Sequence, residues 1–136
     1  MQSGERREIR EYKEQVPVEA RIQKAEELKK QRQNHCPLIL LRAKGCRYPP
    51  PPPRYKPARY IVDGALQMGT FLYTIRKQMK LSKSDGLYLH VGETLPVLTS
   101  NIGEVYKNYA DLDGFLYLVF SHEADKGSEA VRIVKV

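Results

Sequence analysis

Two short runs of this chain are apolar at every position, Leu38–Leu41 and Leu116–Phe120, near opposite ends of its 136 residues. A strand with one wet face alternates between polar and apolar residues. A run without alternation belongs in the middle of a sheet, with cover on both faces. The two runs are therefore read as central strands. Neither approaches the roughly 20 apolar residues that a membrane span needs.

The pattern between and around them supplies the other elements. Residues 5–33 are rich in Glu, Lys, Arg and Gln and poor in β-branched residues, which predicts helix. Val16-Pro17 interrupts that run, because proline is tolerated in the first helical turn and not further inside. Two helices are expected, over Glu5–Gln15 and Val18–Arg32, the second carrying a narrow apolar stripe of Ile22, Ala25 and Leu28. Tyr60–Val62 resumes an extended pattern after a long loop over residues 43–58. That loop holds five consecutive prolines, Pro49–Pro53, which remove backbone donors and favour a polyproline II segment. Phe71, Leu72, Ile75 and Met79 share one face of a helix within Gln67–Lys80. Leu87, Leu89 and Val91 alternate with Tyr88 and His90, as in a strand. Ile102, Val105, Tyr106 and Tyr109 again fall at helical spacing. In the last strand, Phe115, Tyr117 and Val119 are expected to face the N-terminal helices, and Leu116, Leu118 and Phe120 the crossover helix. From residue 37 the order is ββαβαβ. That order describes an α+β fold, a ubiquitin-like β-grasp with a four-stranded mixed sheet, its first and last strands forming the parallel central pair. The expected organisation is a helical extension over 1–34, the β-grasp over 35–122 and a flexible tail over 123–136.

Charge is spread unevenly. Residues 37–80 hold nine Lys/Arg and one acid, whereas residues 81–136 hold five basic and eight acidic side chains. So basic a middle segment can meet nucleic acid, an anionic membrane or an acidic peptide, or can be an ordinary solvated face. Tyr48, Tyr55 and Tyr60 lie near those charges and would suit stacking on single-stranded nucleic acid, but no nucleic-acid motif accompanies them. The N-terminus is charged from Glu5 on and does not read as a secretory signal. Cys36 and Cys46 are too few for a disulfide framework and read as reduced cytosolic thiols. His35 adjoins Cys36, but no acid marks a catalytic relay. His35, His90 and His122 lack metal-ligand spacing, and no phosphate-binding glycine motif is present. No enzyme activity and no cofactor are expected.

Several stretches carry a specific resemblance: Arg59-Tyr-Ile-Val62, Phe71-Leu-Tyr-Thr-Ile-Arg-Lys77, Glu104-Val-Tyr106 and Asp113-Gly-Phe-Leu-Tyr117, with Tyr12-Lys13 and Cys36-Pro-Leu-Ile39 upstream. The chain resembles the autophagy ubiquitin-like modifiers, the family of GABARAP and the microtubule-associated light-chain proteins. The resemblance implies a precursor cut after a glycine by a cysteine protease. It implies transfer of that glycine, through ubiquitin-like activating and conjugating enzymes, to phosphatidylethanolamine. It also implies recruitment of cargo receptors to autophagosomal membranes, with the unconjugated form in the cytoplasm. Gly127 sits at the matching position and nine residues follow it. The chain departs from the family in having Lys126 where an aromatic residue normally precedes the glycine, Asp63-Gly64-Ala65 where a turn usually begins with proline, and a longer, proline-filled first loop.

The resemblance further implies a groove for receptor motifs with an aromatic residue, two free positions and an aliphatic residue. Such a motif binds as an added strand. The edge strand would be Arg59–Val62. The first pocket maps onto Leu28, Pro37, Ile39, Ile61 and Phe115, and the second onto Tyr60, Val62, Leu66 and Phe71. Arg59 would meet acids on the peptide, and Lys24 stands where several relatives carry an acid. The alternative is that the apolar members are plain core. Pro49–Pro53, with Arg47 and Arg54 at its ends, reads equally as an SH3 or WW ligand or as a rigid spacer. Besides the conjugated modifier, two other readings stand: an unconjugated scaffold working through its groove or proline loop, and a basic nucleic-acid-binding domain.

Overall fold

The structure, a computed structural model, describes residues 5–123. Lys126, Gly127 and the tail behind them lie outside the described residues. The chain order is α1 (Arg7–Gln15), α2 (Val18–Gln31), β1 (His35–Arg42), β2 (Ala58–Asp63), α3 (Met68–Met79), β3 (Tyr88–His90), α4 (Ile102–Tyr109) and β4 (Leu116–Ser121). The four strands form one sheet in the order β2-β1-β4-β3. The two apolar runs are its central pair, parallel and in register from Leu38 opposite Leu116 to Arg42 opposite Phe120. β2 and β3 flank them antiparallel. The central position explains the missing alternation, since Leu38, Ile39, Leu116, Leu118, Val119 and Phe120 are all fully buried.

One sheet face is covered by α3, which buries Met68, Phe71, Ile75 and Met79. The other carries the N-terminal helices. Tyr12 of α1 packs edge-on against Tyr117 with ring centroids 5.9 Å apart, and Lys13 lies 5.4 Å from the same ring. This is the arrangement that alternation along β4 predicts, with Tyr117 toward the helices.

The stripe expected on α2 is different. Ile22 is 38% exposed, whereas Arg21 is 8% exposed and Ala25 is buried. Residues spaced by three fall about 60° short of a full turn at each step, so Ile22, Ala25 and Leu28 spiral around the helix. Arg21, Ala25 and Leu28 stay within a narrower arc. Arg21 can be the buried member because a carboxylate awaits it. Its Nη1 donates to Asp113 Oδ2 at 2.7 Å, and its Nε to the Val16 carbonyl at 2.8 Å. The Tyr117 hydroxyl donates to the same Asp113 oxygen at 2.5 Å. The Phe115 N–H donates to Asp113 Oδ1 at 2.9 Å. Just above, Gly114 lies at φ +96°, where a Cβ would stand 3.0 Å from the Ala25 methyl. Glycine there serves both the turn and the close approach of α2.

α4 is held against the turn that follows β2. Gly103 N–H donates to Gly64 O at 2.8 Å and Ile102 N–H to Leu66 O at 2.7 Å. A Cβ on Gly64 would meet the Asn34 carbonyl at 3.2 Å, which accounts for Gly64 in the Asp63-Gly64-Ala65 turn.

The proline run does not continue as one polyproline segment. Arg54 N–H donates back to Pro51 O at 3.2 Å and Tyr55 N–H to Pro53 O at 2.8 Å, so the chain turns over Pro51–Tyr55. Pro51 is buried. Two donors just past the prolines have carbonyls within reach, and the ends of the loop are tied to adjacent strands.

Asp113→Ala should lower the unfolding free energy by about 3–5 kcal/mol, because it strands a buried guanidinium and a buried hydroxyl. Lys44→Ala, which removes only the exposed pair with Glu11, should change it by less than about 1 kcal/mol. Urea titrations of the two variants would check the contrast.

Burial and the bond to Asp113 push the Tyr117 hydroxyl well above its ordinary value of 10.0, and burial pushes Tyr60 up to about 12. Both folded values are raised, so the contribution of these groups is complete below pH 10 and is lost as pH rises beyond it. Stability should fall above pH 10. Tyr60→Phe should flatten the part of that fall between pH 10 and 12, measured by urea midpoints at stepped pH.

Candidate peptide-binding edge

β2 is an edge strand, so one row of its N–H and C=O groups is not paired within the sheet. Such a row is a template for an added strand. Opposite residues of an antiparallel pair share a face. Ile39 pairs with Arg59 and Pro37 with Ile61, whereas Leu38 pairs with Tyr60 and Cys36 with Val62. Arg59 and Ile61 therefore belong to the face under α1 and α2, and Tyr60 and Val62 to the face under α3. Consecutive residues of Arg59–Val62 serve both faces in turn.

On the first face a groove of 320 Å³ runs between the N-terminal helices and β2, with Tyr12, Lys24, Glu27, Arg59 and Phe115 among its walls. Phe115 forms the floor and is 1% exposed. Of the other residues mapped to the first pocket, Pro37 and Ile39 are buried, and Leu28 and Ile61 are half-buried. None of these four lines the groove itself. Lys24 is half-buried and its Nζ stands 3.6 Å from Glu27 Oε1, so an acid is present beside the basic position. On the second face Tyr60 meets Phe71 edge to face, centroids 5.4 Å apart. Val62 and Phe71 are buried, and Tyr60 and Leu66 are half-buried. Arg59 is exposed at the rim, with no carboxylate at ion-pair distance among the described residues.

Tyr12, Val16 and Glu27 are groove walls that sequence reasoning did not assign to the site. Periodicity says which helix residues are apolar but not how the helix lies across a sheet, so no signal in the chain marks them.

The other sequence candidates separate from this edge. Cys36 is buried, and burial raises its thiol above the ordinary range, the opposite of an activated nucleophile. The three tyrosines proposed for base stacking do not form a platform. Tyr48 is buried and donates to Gly86 O at 2.7 Å, Tyr60 is turned toward α3, and Tyr55 alone is strongly exposed. Among the described residues no His/Cys/Asp/Glu group could hold a metal ion, and no helix is long and apolar enough to cross a membrane.

Residues 20–127 match the family model described as autophagy protein Atg8, ubiquitin like. Autophagy-related protein 8 of Candida glabrata is 33% identical over 112 residues, 82% of this chain and 92% of that protein. The Eremothecium gossypii protein of the same name is 34% identical over 118 residues, 87% of this chain and 95% of its own length. Among solved structures, Trypanosoma brucei ATG8 superposes with a TM-score of 0.74 at 24% identity, covering 85% of this chain and 97% of that one. Plasmodium falciparum Atg8, in complex with a Plasmodium falciparum Atg3 peptide, superposes with a TM-score of 0.71 at 21% identity, covering 82% and 95%. With the ubiquitin-like architecture and a family match over most of its length, the chain belongs to the Atg8 family of ubiquitin-like autophagy proteins.

Proposed function

We propose that this protein is a ubiquitin-like modifier of autophagy rather than a catalyst. A cysteine protease cuts it after Gly127, activating and conjugating enzymes carry it, and it is joined to phosphatidylethanolamine. On autophagosomal membranes it then recruits cargo receptors and adaptors, and before conjugation it is cytoplasmic. The observation that carries the binding half is the open edge of β2, flanked by a groove on one face and the Tyr60–Phe71 pair on the other. A motif with two anchors three residues apart points them to opposite faces of an added strand. The Atg3 peptide bound to the Plasmodium relative supports a conjugating enzyme among the partners. The conjugation half rests on Gly127, the last residue of the family match, with nine residues behind it. Lys126, in place of the usual aromatic residue, favours one second reading: a scaffold that binds through the same edge and is never processed.

Intact mass in extracts of starved cells separates the two readings. The expected species lacks Ser128–Val136, and Gly127→Ala should retain those residues, because a groove closed around a backbone without Cβ excludes a methyl group. Full-length protein as the sole species would select the scaffold.

A peptide with an acidic flank and an aromatic-x-x-aliphatic core should bind along Arg59–Val62. Arg59→Glu should weaken it and remove most of its salt dependence, since an exposed pair is screened. Isothermal titration at two salt concentrations would show this, and unchanged affinity would remove Arg59 from the site.

Phe115→Ala should cost about 3–5 kcal/mol of stability, as for other large-to-small changes at fully buried positions, and should weaken the same peptide. Thermal melts together with the titration would test both. If neither moved, the groove would not be built on Phe115.

A further inference from the structure

The chain leaves β4 at one end of the sheet, and that end is built from the most basic segments of the protein. Arg47 N–H donates to His122 Nδ1 at 3.3 Å, and the Tyr48 and His122 ring centroids are 5.9 Å apart, so the proline loop begins beside the exit of β4. The Tyr48 hydroxyl on Gly86 O brings the segment after α3 to the same place. The Tyr60 hydroxyl donates to Gln78 Oε1 at 3.0 Å and joins the last turn of α3 to the start of β2. Residues 43–57 hold four basic side chains and no acid, and residues 76–86 hold four and one. Three of these cations have partners at hand. Lys44 pairs with Glu11, Arg76 donates to the Ser82 and Asp85 carbonyls, and Lys77 lies 5.5 Å from the Tyr73 ring. Arg47, Arg54, Lys56, Lys80 and Lys83 are exposed, and none has a carboxylate at ion-pair distance among the described residues. The acids at this end are Asp85, which accepts from Ser82, and Glu123, 3.3 Å from His122 Nε2.

Tyr55 stands among those cations. It is 81% exposed, lies between Arg54 and Lys56 in the chain, and has the Lys56 Nζ 5.8 Å from its ring. The turn that presents it is ordered before any partner arrives, because Pro51 is buried and Arg54 and Tyr55 N–H groups are bonded to the Pro51 and Pro53 carbonyls. Between this turn and the start of β2 lies a cavity of 470 Å³, lined by Pro52, Pro53, Lys56 and Arg59 among others. An exposed tyrosine ringed by cations suits the boundary between lipid headgroups and acyl chains, where an apolar ring with a polar tip is at home.

Resting on the reading that Gly127 is joined to a lipid headgroup, we propose that this end of the protein docks on an anionic bilayer. The Tyr55 ring enters the headgroup layer, and Arg47, Arg54, Lys56, Lys80 and Lys83 lie against the anionic headgroups. Gly127 is four residues beyond Glu123, and four residues span at most about 14 Å. The tether therefore holds this end within about two Debye lengths of the surface at physiological salt, where the cations feel its charge. The preformed turn docks without an ordering cost.

The test uses the full, unconjugated chain, so its outcome does not depend on whether Gly127 is processed. The chain should co-sediment with vesicles of phosphatidylcholine and phosphatidylserine and not with phosphatidylcholine alone, and added salt should release it. Arg54→Glu with Lys56→Glu should weaken partitioning roughly tenfold or more. Lys29→Glu with Lys30→Glu makes the same change of charge at the end of α2, near the opposite end of the sheet, and should weaken it by about twofold at most. The chain has no tryptophan, so Tyr55→Trp is a lone probe, and its emission should move to the blue on the anionic vesicles. Equal losses in the two double variants, or an unshifted emission, would overturn the docking face and leave conjugation at Gly127 standing. Binding to single-stranded DNA in preference to the anionic vesicles would assign the face to nucleic acid and overturn it as well.

Discussion

The carboxylate of Asp113 is the joint between the helical layer and the sheet. It is fully buried and accepts from the Arg21 guanidinium, the Tyr117 hydroxyl and the Phe115 N–H. A buried charge is costly unless it is paired and its lone pairs are occupied, and here one pair of oxygens satisfies a helix, a strand and a turn together. Arg21 fixes the rotation of α2. That rotation sets Ala25 against Gly114 and leaves Lys24 and Glu27 on the groove wall. Phe115, one residue before β4, is thereby placed as the floor of the groove. The shape of the first groove follows from a hydrogen-bonded network around Asp113, of which Arg21 is itself a groove wall.

The opposite side of β2 is governed by backbone rather than by charge. The turn after β2 lies on α4 through Gly64 and Gly103, so close that a Cβ on Gly103 would stand 3.1 Å from the Gly64 carbonyl oxygen and one on Gly64 3.4 Å from the Gly103 Cα. Between these two fixed sides, β2 keeps one edge unpaired. An unpaired edge invites association with other chains, and cationic side chains blunt that tendency. Arg59, exposed in the middle of β2, does this for uncharged partners and is complementary to acidic ones. The proline loop that enters β2 extends the same edge with a cavity that carries the same sign of charge.

Much of the fold was legible from the chain. The two unbroken apolar runs read correctly as the parallel central pair. The periods of Phe71, Ile75 and Met79, and of Ile102 and Val105, matched their helices. The failures share a physical origin. Ile22 was assigned to the buried stripe on α2 because hydrophobicity outranks charge in a pattern. The buried residue is Arg21, because Asp113, 92 positions away in sequence, neutralises it. Pro49–Pro53 reads as an extended rod in isolation, but Arg54 and Tyr55 close turns on it. Tyr48 reads as a surface aromatic and is buried, with its hydroxyl on Gly86. In each case a distant or returning segment supplied the deciding partner.

Local sequence determined which segments are helices and strands, and which strands are buried on both faces. Those properties depend on side-chain periodicity and on where proline and glycine stand, and both are written within a few residues. The resemblance to a known family, rather than any local pattern, placed an edge strand at Arg59–Val62, and its residues alternate between the two faces of the sheet. The tertiary structure alone decided how α1 and α2 lie across the sheet and that the proline loop folds back into a cavity. These depend on pairings such as Arg21 with Asp113 and Gly64 with Gly103, whose geometry exists only once residues far apart in the chain have met.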